Sequence, residues 1–320
     1  MQNIQLKPKL KQSKLKQWKL KLIKSYGTIE LTLLALPAII VIFIFNYVPL
    51  YGIILPFKDY KPMQGIINSA WVGLENFKFI FSNNTLLKLT INTVVMNLLF
   101  ILGNTVISVI FALLLYELSR GFVKLYQTIL FFPYFLSWVG VSYVLLALLD
   151  ADRGIVNQII IHFGNLPISW YNEPKYWHVI LVVIYIWKMA GYGAVIYYAG
   201  LMGADKENYE AARMDGATKL QEIWYISLPT LRPLITIINI LALGRVLNGD
   251  IGLFYNVTLD SPILYPATDV IDTYVFRAVK GMNDIGLTSA VSLYQAVCGF
   301  ILIMIVNGVV RKINEEDSLF

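Results

Sequence analysis

The stretch from Ala204 to Pro233, ADKENYEAARMDGATKLQEIWYISLPTLRP, is charged and rich in helix formers, while the runs on either side, near 178–203 and 231–248, are almost wholly apolar. Asp205 suits a helix N-cap, and Tyr209, Ala212 and Gly216 fall on one face at i, i+3 and i+7. Gly216 permits a sharp turn, after which Leu220, Ile223, Trp224 and Ser227 line a second short helix that Pro229 is expected to end. The pattern predicts a helix, turn, helix element joining two membrane helices outside the lipid. A face of small residues admits a partner's surface, and the charges of Glu210 and Arg213 would orient it. A plain elbow between two spans is the alternative, and the residues alone leave both open.

Working outward, six runs reach the roughly 20 apolar residues that a bilayer crossing needs. They lie near 31–55, 89–115, 128–149, 178–203, 231–248 and 287–310. Composition agrees: 57% of the 320 residues are apolar, 14% are charged, and the mean hydropathy is +0.63. A soluble fold would leave large apolar patches in water, whereas lipid solvates them. The expected fold class is therefore an all-α polytopic membrane protein. Cys298 alone excludes an internal disulfide, and two histidines, His162 and His178, leave little material for a metal site.

Lysine and arginine placement sets the orientation, because cytoplasmic flanks are enriched in both. With the N-terminus inside, sixteen fall on the cytoplasmic side and eight outside; Lys188 and Arg245 lie within spans. Eight of the sixteen cluster between Lys7 and Lys24, a placement that suits anionic lipid rather than nucleic acid. The first apolar run follows this basic segment as a signal peptide would, yet it is too long and lacks a small-residue cleavage site, so it reads as a retained helix. The organisation expected is a basic interfacial segment over 1–28, a six-helix domain over 29–312 with the charged connection at 204–229, and a cytoplasmic tail over 313–320.

Glu210-Ala211-Ala212, then Gly216, then Ile226-Ser227-Leu228-Pro229 after nine residues, resembles the EAA motif of permease subunits in binding-protein-dependent ABC importers. A second stretch, Pro49-Leu50-Tyr51-Gly52, Phe57-Lys58-Asp59-Tyr60, Gly65-Ile66 and Trp71-Val72-Gly73-Leu74-Glu75-Asn76-Phe77, resembles the first external region of the oligosaccharide branch of sugar permeases. The resemblance implies the type I ABC importer permease fold, with Glu210, Ala211, Ala212, Asp215, Gly216, Ile226, Leu228 and Pro229 coupling the chain to an ATPase. It implies as partners a second permease subunit of different sequence, an ATPase dimer and an external lipoprotein that binds the sugar, in a bacterial cell membrane. ATP and Mg would belong to the ATPase, since no GxxxxGK[ST] loop occurs here and this chain is expected to bind no cofactor. The short connection between the first two spans argues against an inserted external domain.

Sugar passage needs hydroxyl partners and stacking planes, and ionisable groups within spans cost about 2.5–3.5 kcal/mol each, so they are default site candidates. Lys188, Trp187 and Tyr192 in the fourth span, with Arg245, Asn248 and Asp250 at the end of the fifth, form the candidate substrate pathway. Arg245 and Asn248 would share a helix face, unless Arg245 instead pairs with Asp250. Asn92, Asn97 and Asn104 are expected to face the bundle interior and to bond between helices. Among 44 aromatic residues any single one is more often packing than ligand-binding. An ion-gradient transporter using Arg245, Asp250 or Lys188 is the alternative function. A membrane enzyme is disfavoured because neither histidine has a spaced partner and the external acids Asp150, Asp152, Asp260, Asp269 and Asp272 show no catalytic spacing.

Overall fold

The computed structural model describes residues 32–82, 84–282 and 284–313; the basic segment expected over 1–28 and the tail beyond 313 lie outside them. Among these described residues, five apolar helices are long enough to cross a membrane: Thr32–Phe57, Asn84–Glu117, Pro174–Met202, Lys219–Leu243 and Ile285–Lys312. A bent pair, Gly121–Phe135 with Trp138–Leu149, supplies the sixth. The chain divides at Leu55. Most of the first span lies in the N-terminal unit, where its apolar side chains from Leu33 to Leu50 are exposed, as lipid-facing groups would be.

In the second unit, the second and fourth spans pack against each other along their length. Small residues allow this: Ser108 of the second span donates to the Ala190 carbonyl at 3.1 Å, and Gly193 leaves room for the Ser108 side chain. Near the same seam Phe100 stacks on Tyr185 at 4.2 Å between ring centres, in a core that also buries Trp177, Leu181 and Phe254. Gly191 meets the third span even more closely, since a Cβ built there would overlap the Leu130 carbonyl group.

The third span, expected from the apolar run near 128–149, is broken. Its two arms meet at 95°. Pro133 has no N–H to give, Leu136 is extended (φ −69°, ψ 136°), and the Ser137 hydroxyl then accepts from the Gly140 N–H at 3.1 Å to start the second arm. Each arm has 12 α-helical residues, about 18 Å at 1.5 Å per residue, so neither alone crosses roughly 30 Å of hydrocarbon.

The connection after the first span contains a short ladder in which Lys58–Asp59 pairs antiparallel with Ala70–Trp71. The buried Lys58 ammonium donates to the carbonyls of Ile66 and Ile67 at 2.7 and 2.8 Å, and Asn76 donates to the carbonyls of Pro56 and Lys58. The sugar-permease-like residues of this region thus act as its internal fastening.

Candidate functional site

The charged connection folds as a helical hairpin. Asp205 caps the first helix, Lys206–Met214, by accepting from the Glu207 N–H at 3.0 Å, as its position predicts. Gly216 adopts φ +81°, the left-handed conformation that makes the turn, with open space where a Cβ would lie. Thr218 and Gln221 then form a reciprocal capping box at the start of the second helix.

Two expectations about this hairpin change. Pro229 does not end the second helix, which runs from Lys219 to Leu243 as the fifth span. Ile223–Ser227 adopts a π-helical turn just before Pro229, and the wider turn accommodates a ring that cannot donate. The face carrying Tyr209 and Ala212 also turns inward: Tyr209 is buried, its hydroxyl lies 3.0 Å from that of Ser227, and its ring lies beside Tyr116 of the second span. Glu210, Ala211, Met214 and Asp215 are among the exposed residues of the first helix and the turn, as are Leu220, Trp224 and Tyr225 on the following helix. Ile226 and Leu228 are half-buried, while Pro229 is exposed.

A charge network that sequence reading missed locks the hairpin. Glu222 has a side chain only 3% exposed, and Arg213 embraces its carboxylate in a two-pronged contact at 2.9 and 3.1 Å. This contact pushes the Arg213 guanidinium further up from its already high range. Lys219 bridges the same carboxylate at 3.2 Å to Glu117, the last residue of the second-span helix, at 2.9 Å. Arg213 is therefore engaged within the chain rather than free to orient a partner. Nothing local flags the pair, because nine positions and a turn separate its members.

The pathway candidates divide into two groups. Lys188 is 5% exposed, and its ammonium donates to the Tyr134 carbonyl at 2.7 Å, at the bend of the third span. It also lies 5.4 and 5.2 Å from the ring centres of Tyr134 and Trp138. Trp138 in turn donates from Nε1 to Asp250 at 2.7 Å, and Tyr192 stacks on Tyr134 at 4.7 Å. Lys188, Asp250 and Tyr192 thus converge on the bend through two aromatic residues that the sequence did not single out. Trp187, Arg245 and Asn248 are exposed.

Arg245 and Asn248 do not share a helix face. The span ends at Leu243, and the next four residues form a turn that Asn97 secures by donating to the carbonyls of Val246 and Asn248. Asp250 bonds Trp138 rather than Arg245. Asn92 likewise bonds across elements, to the carbonyls of Ala267 and Asp269, whereas the buried Oδ1 of Asn104 has no partner among the described residues.

Comparison with known proteins places this architecture. Residues 105–315 match the family described as "Binding-protein-dependent transport system inner membrane component". The chain is 34% identical to the polygalacturonan/rhamnogalacturonan transport system permease protein YteP of Bacillus subtilis, over 92% of each chain. It is 33% identical to Protein LplB of the same organism, over 89% of this chain and 90% of that one. A crystal structure of a bacterial alginate ABC transporter, in complex with its alginate pentasaccharide-bound periplasmic protein, includes a chain that superposes with a TM-score of 0.81 at 28% identity, covering 92% of this chain and 97% of that one. None of these matches supports the ion-gradient alternative. The helices, the hairpin and these likenesses together make the chain a member of the family of inner-membrane components of binding-protein-dependent transport systems.

Proposed function

We propose that this chain is the permease subunit through which an oligosaccharide passes from an external lipoprotein into the cell, driven by ATP hydrolysed elsewhere. The observation that carries the proposal is the hairpin between the fourth and fifth spans, whose exposed face presents Glu210, Ala211 and Asp215 while Arg213, Lys219 and Glu222 hold it to the second span. A handle fastened in this way transmits a push to the transmembrane helices instead of folding away. Rocking of packed spans then exposes a path alternately to each side.

In this reading both termini are cytoplasmic, and a pair of ATPase subunits holding ATP and Mg receives the handle in a cleft. A second permease of different sequence completes the pore. Arg245 and Asn248 are the exposed polar groups that meet the sugar, whereas Lys188 pins the bend of the third span. The chemistry of transfer is hydrogen bonding and stacking, with no covalent step.

Uptake of a labelled mixture of neutral and acidic oligosaccharides into vesicles holding the assembled complex tests this. Uptake should require ATP on the handle's side and the binding protein on the other. Uptake that survives ATP removal but collapses with an ionophore rejects the proposal.

A further inference from the structure

Away from the hairpin and the bend, three connections that the proposed orientation puts outside the cell meet in a shallow pocket. Asp150 follows the third span, Trp170, Tyr171 and Asn172 precede the fourth, and Leu259 and Ser261 belong to the connection before the sixth. The two aromatic residues are fixed by their polar tips. Trp170 donates from Nε1 to Asn157 at 3.1 Å, and the Tyr171 hydroxyl donates to the Val257 carbonyl at 3.3 Å. Both residues line the pocket, Trp170 packed beside Tyr176 at 5.2 Å and Tyr171 edge-on to Trp177 at 4.9 Å between ring centres.

The polar groups beside these rings have acceptor or donor capacity to spare. Asp150 uses Oδ1 to accept from the N–H groups of Asp152 and Arg153, and its Oδ2 has no partner among the described residues. Asn172 donates to Ser169 at 2.9 Å, leaving its Oδ1 free there, and the Ser261 hydroxyl has no partner among those residues either. The rim is conformationally costly: Leu259 and Asp260 take successive positive φ values, 57° and 46°. Asp260 is held in place by Arg277 at 3.0 Å and by the Tyr265 hydroxyl at 3.1 Å. Rigid aromatic surface, unspent oxygen atoms and a backbone held against its preference make up a ligand pocket rather than a packing defect.

We infer that this pocket is a subsite for one neutral pyranose unit of an oligosaccharide arriving at the outer face. The ring's C–H face would lie on Tyr171, and its hydroxyls would donate to Asp150 and Asn172 and exchange hydrogen bonds with Ser261. Neutrality follows from the lining, which includes a carboxylate and no Lys, Arg or His, so a uronate would be repelled. The inference deepens the import reading and rests on its orientation.

Saturation-transfer NMR on the full chain in lipid nanodiscs tests it, with neutral trisaccharides of galactose, glucose and mannose and with trigalacturonate as probes. At least one neutral probe should receive saturation on its ring C–H protons, and trigalacturonate should bind more weakly. Tyr171→Ala should weaken the neutral probe about tenfold, in line with the loss of a stacking plane. Ser261→Trp, which fills the pocket from a half-buried rim position without removing a core contact, should do the same while circular dichroism shows the helices intact.

No saturation of any neutral probe, equal or tighter binding of trigalacturonate, or an unchanged signal in Ser261→Trp overturns the inference. So does a Ser261→Trp variant that loses capture of the binding protein while its sugar signal stays unchanged, which would make the pocket a protein contact. Gly216→Asp separates the two readings, because it should stop uptake without altering the sugar signal.

Discussion

At the scale of single residues, Glu222 is the group whose role is least expected and most exposed to test. A buried carboxylate is costly unless its charge is met, and here Arg213 and Lys219 meet it. Glu222→Gln keeps the shape and removes the charge, so it should lower stability by about 2 kcal/mol, read as earlier unfolding in detergent. Arg213→Ala should then cost clearly less in that background than alone; additive effects would mean that the pair contributes nothing. Gly216 is the opposite case, legible at once from its place between two helical patterns. Because the space beyond its Cα is open, Gly216→Asp adds only the strain of positive φ, about 1 kcal/mol, so the protein should remain folded in the membrane. Its uptake should nevertheless vanish, since a charged branch would stand on the handle's exposed turn. Normal uptake with normal ATPase co-purification would refute the coupling role.

At the scale of elements, the spans were readable and their irregularities were not. Apolar length located all six, but the break in the third, the extension of the fifth through Pro229 and the early end at Leu243 depend on neighbours. Pro133 marks a possible break, yet the 95° bend is held by Lys188 from another helix, 54 positions away, bonding the freed Tyr134 carbonyl. Lys188→Met retains much of the stem and removes the donor. Amide exchange at residues 134–138 should rise, reflecting a loss of about 1–2 kcal/mol; unchanged exchange would show that the bend stands without it. Gly191→Ala should be far more damaging, because the new methyl group would overlap the Leu130 backbone, which cannot rotate aside as a side chain can. We expect little folded protein from that variant, and a wild-type yield and melting temperature would contradict the close approach of these spans.

At the scale of the whole molecule, orientation links the sites: the hairpin at 204–229 on one side of the membrane, the pocket of Asp150, Trp170 and Ser261 on the other. In a Cys298→Ser background, a cysteine placed at Asn208 should react with an impermeant maleimide only in inverted vesicles, and one at Ile263 only in intact cells. The reverse pattern would turn the whole assignment over.

What the amino-acid sequence determined by itself was the solvent, the number of crossings, the capped helix and left-handed turn of the handle, and the family. Each depends on local or periodic properties: apolar length, a capping side chain, a glycine's freedom, a motif of fixed spacing. Only the tertiary structure decided that Arg213 faces Glu222, that Asn97 rather than a helix ladder holds Val246 and Asn248, and that three distant connections enclose one pocket. Those contacts join residues 9 to about 150 positions apart, where no periodicity in the chain records which side chains the packing of helices brings together.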